Sequence, residues 1–261
     1  MFNYIYPVNI WLIATQNNEM KKLFIFFNLS LLILLASVHA QDKKVAVVTF
    51  YADKQIDISR VATKSAEASV TKLCNDPDFD MSSFLKNFHD QFFKNYAKKF
   101  NFQLLPEREV IDNSDYKDFV PNDPAAAGAL RDELTLAAKG YKVVLPLKDN
   151  ANEKKLADMF ASADGIMKVY LDFSMEKKGL GGVALVKVNA SVHILLFDKN
   201  GKKVFSTTET AISQLSGSQI ARISFLTPKK VLPLCENAVD ELMIKLQQDM
   251  PKIAEKADVK L

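Results

Sequence analysis

The sequence predicts an α/β (α+β) domain built on one mixed sheet, with an antiparallel three-strand meander and helices packed on one or both faces. Three observations lead there. From Met167 to Met175 the odd positions are Met, Val, Leu, Phe and Met, and the even ones are Lys, Tyr, Asp and Ser, a period of two. From Val183 to Phe197 every even position from Ala184 to Leu196 is apolar, while Lys187, Asn189, Ser191 and His193 alternate with them. Phe84, Phe88, Phe92 and Tyr96 recur at four-residue spacing, the mark of a helix with one buried face.

The elements follow in order. Val45–Phe50 is a short β-rich apolar run, which suits a strand buried on both faces. Ile58–Cys74 is read as a helix ended by Asn75-Asp76-Pro77, and Ser82–Phe100 as a helix capped by Ser82 or Ser83. Phe102–Leu105 reads as a short strand. Residues 113–128 read as loop, with a helical turn at Tyr116–Phe119, and Ala126–Lys139 as a helix closed by Gly140. Tyr141–Leu147 suits an edge strand, because Pro146 cannot donate to a ladder. A helix capped near Asn152 runs to Ala163. The two long strands then meet at Gly179-Leu180-Gly181-Gly182, and Asp198-Lys199-Asn200-Gly201 turns the chain into a third strand, Lys203–Ile212. A last helix, Val231–Met250, carries Val231, Cys235, Ala238, Leu242 and Leu246 in one stripe, with Pro233 confined to its first turn.

Residues 20–40 read as an export signal. Met20-Lys21-Lys22 is a basic start, Leu23–Ala36 an apolar core too short and too interrupted to span a bilayer, and Val38 and Ala40 the small residues signal peptidase accepts. Residues 1–19 lack a basic segment of their own and read as an upstream extension. The expected folded domain is therefore 41–261, with Gln41 at its mature end. No cysteine lies near the cleavage point, so the signal is not of the lipoprotein type. The expected address is the periplasm or the exterior, with no membrane span in the mature chain.

Lysine and arginine number 34 against 31 aspartates and glutamates, and only Lys21, Lys22 and Glu19 of these lie in residues 1–40. So balanced a domain gives no electrostatic footprint for nucleic acid or for an anionic membrane. Cys74 and Cys235 admit two readings: a disulfide if the fold brings their Cα atoms within about 7 Å, or buried thiols.

No set of residues carries a catalytic, cofactor or metal signature, and none is assigned. His89 flanks an aromatic stripe next to Asp90. His193 shares a strand face with Lys187, Asn189 and Ser191, without the convergent ligands a metal needs. The glycines at 179–182 join strand to strand, whereas a phosphate loop leads into a helix N-terminus. Ser216-Gly217-Ser218 lacks the nucleophile-elbow pattern. Asp112, Asp115, Asp118 and Asp123 do not have calcium-loop spacing.

Three stretches together resemble the family of the curli-secretion pore lipoprotein CsgG and the N-terminal domain of TolB. They are Lys44-Val45-Ala46-Val47-Val48-Thr49-Phe50, Ala163-Asp164-Gly165-Ile166, and the hairpin from Phe197 to Phe205. The resemblance implies an envelope accessory or assembly fold with no catalytic residues to carry over, and the absence of a lipid-bearing cysteine argues against its membrane anchoring. The leading expectation is a non-catalytic envelope protein that binds a partner protein through Lys187, Asn189, Ser191 and His193. The alternative is a periplasmic hydrolase whose site is assembled from distant residues.

Overall fold

The computed structural model describes residues 43–61, 67–122, 133–146, 149–180, 183–217 and 226–261. These belong to the unit Lys43–Leu261. The export signal read in residues 1–40 lies outside the described residues.

The central strand is β1 (Lys44–Asp57), buried without a break from Val45 to Ala52. On one edge it runs parallel to β4 (Gly165–Leu180). Its other edge is shared by two short strands, β2 (Gln103–Leu104) in parallel and β3 (Thr135–Ala137) antiparallel. Beyond β4 lie β5 (Val183–Asp198) and β6 (Lys203–Ile212), so the order is β2-β1-β4-β5-β6, with β3 beside the far half of β1. The mixed sheet with its three-strand meander is the predicted one. A register shift between Val47 and Thr49 rotates β1, as an extra residue in a strand must. Val45, Val47, Phe50 and Ala52 consequently share one core, and Ala46 and Val48 enter another.

β4 and β5 pair from Gly165 opposite Asp198 to Leu180 opposite Val183, and residues 181–182 of the expected glycine turn lie outside the described residues. Between β5 and β6 the Asp198 carboxylate accepts from the Asn200 and Lys202 amides (2.8 and 3.0 Å). Gly201 alone takes positive φ (+72°) there, and the register slips by one residue opposite Leu196 and Phe197. The expected tight Asn-Gly turn is thus a wider one with a bulge.

Helices cover both faces. Against the first lie α1 (Glu67–Cys74), α2 (Ser82–Gln91) and α6 (Pro228–Asp258). α2 continues through a wide π turn, Phe92–Tyr96, and a tight turn, Ala97–Lys99. A repeat of four drifts by roughly 40° per step around a helix of 3.6 residues per turn. The wide turn takes up that drift, and Phe84, Phe88, Phe92 and Tyr96 are all buried. α6 is longer than expected, so Pro233 is interior, as is Pro251. Each removes one ladder hydrogen bond, and a stripe buried from Val231 to Ala257 offsets the loss.

The second face is covered by α3 (Glu107–Ile111), α4 (Ser114–Asp118) and α5 (Ala151–Met159), which bring Val110, Tyr116, Leu156 and Phe160 onto Ala46, Val48, Ile166 and Phe197. Several expectations fail in this region. Of the helix expected over Ala126–Lys139, residues 126–132 lie outside the described ones, 133–134 are helical, and Thr135–Ala137 form strand β3 instead. Residues 141–146 form no strand. They cross the second face, where the Val144 amide donates to the Thr49 hydroxyl (3.2 Å) and the Lys142 amide to the Tyr116 hydroxyl (2.8 Å). Asn152 does not cap α5. It is buried and holds both backbone groups of Asn122 (2.7 and 2.9 Å). Ile58–Val61 is a turn, so within the described residues the first helix begins only at Glu67.

The three stretches behind the family resemblance meet at one end of the sheet. The Lys44 amide donates to the Asp164 carboxylate (2.8 Å), and Gly165 lies opposite Asp198. A Cβ on Gly165 would sit 2.4 Å from the Phe197 carbonyl oxygen, so this junction requires glycine. Their shared role is architectural.

Candidate functional site

The second face of the sheet changes character along β4. Near the start of the strand it lies under α5. From Tyr170 to Glu176 its residues are half-buried and polar apart from the tyrosine ring. Pairing places Tyr51 of β1 opposite Tyr170 of β4, Tyr170 opposite His193 of β5, and His193 opposite Thr208 of β6. Tyr51 and Tyr170 stack at 5.1 Å with planes 9° apart, and Tyr170 and His193 at 4.5 Å and 13°. These separations match the spacing of neighbouring strands. The rings therefore stand upright like a row of tiles, face to face, with Tyr170 and His193 half-buried and Tyr51 buried at the end of the row.

Beside this row lie the acids. The His193 Nε2 nitrogen meets the Asp172 carboxylate at 2.5 Å, and its Nδ1 meets the Thr208 hydroxyl at 2.9 Å. Asp53 sits one step further along β1, opposite Thr135 of β3. Burial, reinforced by the Asp172 charge, pushes the Asp53 carboxyl up to about 6, against the hydrogen bond from the Gln55 amide. Burial is also the main reason the Tyr51 hydroxyl is raised, with Tyr170, Asp53 and Asp172 adding to it.

All four residues expected to form a partner surface lie on this face, but they are less free than the alternation implies. Lys187 donates to the Ser213 and Gln214 carbonyls (3.0 and 3.3 Å). Asn189 is only 8% exposed, with its amide 3.5 Å from the Ser174 hydroxyl. Ser191 bonds Thr210 (3.0 Å). His193 is held from both sides. The exposed positions are Ser206, Thr208 and Thr210 on β6. Sequence reasoning missed Tyr51, Asp53, Tyr170 and Asp172 as members of the site. The only signal for them was the period of two on β4, which marks a face without saying which strand lies beside it.

Asp172, His193 and Thr208 have the connectivity of a nucleophilic triad, but not its surroundings. Acyl transfer needs convergent donors about 3 Å from the developing oxyanion. Thr208 lies exposed on a strand, where successive amides point to opposite sides in the sheet plane, so no neighbouring pair converges on its hydroxyl.

Two further charged clusters are structural. Lys168, which the alternation put on the exposed face, is fully buried. Its ammonium meets Glu153 at 2.5 Å and the Leu145 carbonyl at 3.3 Å, and burial lowers its pKa. His89 bridges Glu107 (2.7 Å), which also accepts from the Tyr141 hydroxyl (2.9 Å), among the rings of Phe50, Phe93 and Tyr141. Cys74 and Cys235 stand as separate buried thiols, and the expected alternative of a disulfide is not formed. The Cys74 thiol donates to the Lys54 carbonyl (3.2 Å), and burial pushes it up to about 11. Asp112 pairs with Lys117 (3.2 Å) and Asn113 caps α4 through the Tyr116 amide (3.0 Å); Asp123 lies outside the described residues. Among the described residues no helix is long and apolar enough to cross a membrane.

No family model and no curated protein matches the chain. Solved structures overlap it only loosely. The Helicobacter pylori homolog of a neuraminyllactose-binding hemagglutinin covers 83% of this chain and 87% of its own at 7% identity, with a TM-score of 0.35. A hypothetical protein of Chlamydia trachomatis covers 80% and 98% at 12% identity, with a TM-score of 0.32. A lipoprotein of Neisseria meningitidis covers 76% and 98% at 14% identity, with a TM-score of 0.27. None of the three bears the name of a curli-pore protein, and overlaps this loose establish neither family nor activity.

Proposed function

We propose that the protein is a non-catalytic component of the bacterial envelope that binds a partner protein through the polar face of the β4–β5–β6 meander. The export signal read in residues 20–40 supports the address. The observation that carries the reading is the half-buried stacked pair Tyr170–His193, backed by buried Tyr51, with Asp172 beside it. It is a rigid polar surface on a sheet, where the side chains are locked by stacking and ladder pairing and lose little freedom when a partner docks.

The test uses positions that are exposed and have little part in the fold. Ser206→Arg with Thr210→Arg is expected to abolish capture of the envelope partner while leaving the melting temperature unchanged, since exposed substitutions usually fall within about 0.5 kcal/mol. Undiminished capture by this variant would contradict the reading.

A further inference from the structure

We infer that His89, Glu107 and the Tyr141 hydroxyl form a proton-operated latch that fastens β3 and residues 138–146 to the edge of β1. The latch stands whether or not the polar face binds a partner. The outer edge of β1 is covered by β2 at Lys44 and Val45, and by β3 from Tyr51 to Asp53. After β3 the Ala138 amide donates to the Phe50 carbonyl (2.8 Å), Tyr141 enters the first core, and Val144 enters the second. The chain therefore passes around the β1 edge in the interval between β2 and β3. There the Tyr141 hydroxyl donates to Glu107 on α3 (2.9 Å), and the same carboxylate oxygen meets the His89 Nε2 on α2 (2.7 Å). Three segments distant in sequence are thus tied at one carboxylate oxygen.

The placement of the ring calls for a proton. His89 Nε2 faces Glu107, and Nδ1 faces Asp90 (3.4 Å). A neutral imidazole donates from one nitrogen only, whereas the imidazolium donates from both. β1 and the wide turn after α2 present the rings of Phe50 and Phe93 at 4.9 Å from the imidazole, and the crossing segment presents Tyr141 at 5.9 Å. The charges acting on His89 are those of Glu107 and Asp90, and Lys86 pairs with Asp90 from the same helix. Burial opposes the imidazolium, but the hydrogen bonds and charges of the two carboxylates outweigh it and hold His89 above its ordinary value. Burial opposes charge on Glu107 as well, yet its bonds to His89 and Tyr141 hold the carboxyl below its usual range, so it stays ionised while His89 titrates. A histidine raised by folding stabilises the fold fully below its unfolded value, about 6.5, and the contribution is lost as pH rises through the folded value. The latch is therefore tight in mild acid and slack in mild alkali.

The experiment is native-state hydrogen exchange by NMR at about pH 5.5 and about pH 8, on the wild type and on His89→Gln, which keeps a donor for Glu107 but cannot take up a proton. The reporters are the amides of Ala138, Lys142 and Val144, bonded to the Phe50 carbonyl and to the Tyr116 and Thr49 hydroxyls. Their protection factors, already corrected for intrinsic exchange, are expected to fall about 10-fold further in the wild type than in the variant as pH rises, the factor that corresponds to one pKa unit. Asp53, opposite Thr135 of β3, is raised to about 6 and acts in the same sense, but it contributes equally to both proteins. Glu107→Gln should behave as His89→Gln does. An equal fall in wild type and variant would overturn the latch, and so would an equal fall in the β4–β5 ladder, which would make the effect global. A nitrogen-15 titration of the His89 ring in the wild type needs no variant. Its midpoint is expected above about 6.5, and a midpoint below that value would overturn the latch as well.

Discussion

Asp53 and Lys168 each place a charge against the sheet, and their neighbours treat the two differently. Lys168 is sealed under α5 with Glu153 beside it, an arrangement that serves packing. Among the described residues Asp53 accepts the Gln55 amide and has a second carboxylate, Asp172, within electrostatic reach. Its folded-state pKa of about 6 lies above the ordinary value, so ionising it opposes folding. That opposition is absent below the unfolded value near 3.8, grows as pH rises toward 6, and is complete above it. Asp53→Asn should therefore stabilise the protein by about 1–2 kcal/mol at pH 7.5, with partial exposure discounted, and by nothing at pH 3.5. Urea unfolding at the two pH values checks this. A more stable Asp53→Asn protein confirms that the buried charge opposes folding, whereas a destabilised one would make Asp53 a structural residue. Neither role was legible from sequence. Lys168 stood on the polar side of a regular alternation, and only the chain crossing at 141–146 and α5 turn that side into an interior. Asp53 lay beyond the strand expected to end at Phe50.

At the scale of elements, the parts that were legible are those with long, strict periodicity. The meander strands, the aromatic helix and the α6 stripe all fall where the pattern puts them, because each buries a continuous face of its own. What failed was short and depended on a neighbour. β3 is three residues without alternation, formed because β1 offers it an edge and the Ala138 amide donates to Phe50 (2.8 Å). Residues 141–146 have strand-like composition yet bond to the hydroxyls of Thr49 and Tyr116. The facing of β5 gives a direct prediction. Val188 is fully buried in the first core, so Val188→Asp should unfold the protein, because an unpaired buried carboxylate costs several kcal/mol. Circular dichroism of the purified variant tests it, with Thr210→Arg on the opposite face as the folded control. A folded Val188→Asp protein would reverse the assignment of the two faces. Asn189, expected to be exposed, cannot serve as that control, since it is only 8% exposed.

For the whole molecule, the sheet divides its labour along β4. One end, where Lys44, Asp164, Gly165 and Asp198 meet, is architecture covered on both faces. Further along, the second face becomes polar and half-buried and carries the stacked row. The sequence made this face visible through Lys187, Asn189, Ser191 and His193, but its centre needed the register of three strands and the rotation of β1 to bring Tyr51 into line. The central claim is that this face, and not the helical side, meets the partner. Photo-cross-linking tests it most directly. A benzophenone side chain is placed either at Thr208 on the polar face or at exposed Lys252 on α6, and envelope fractions are irradiated. The account predicts a discrete adduct from position 208 and none from position 252; adducts from 252 alone would place the working surface on the helices and contradict it.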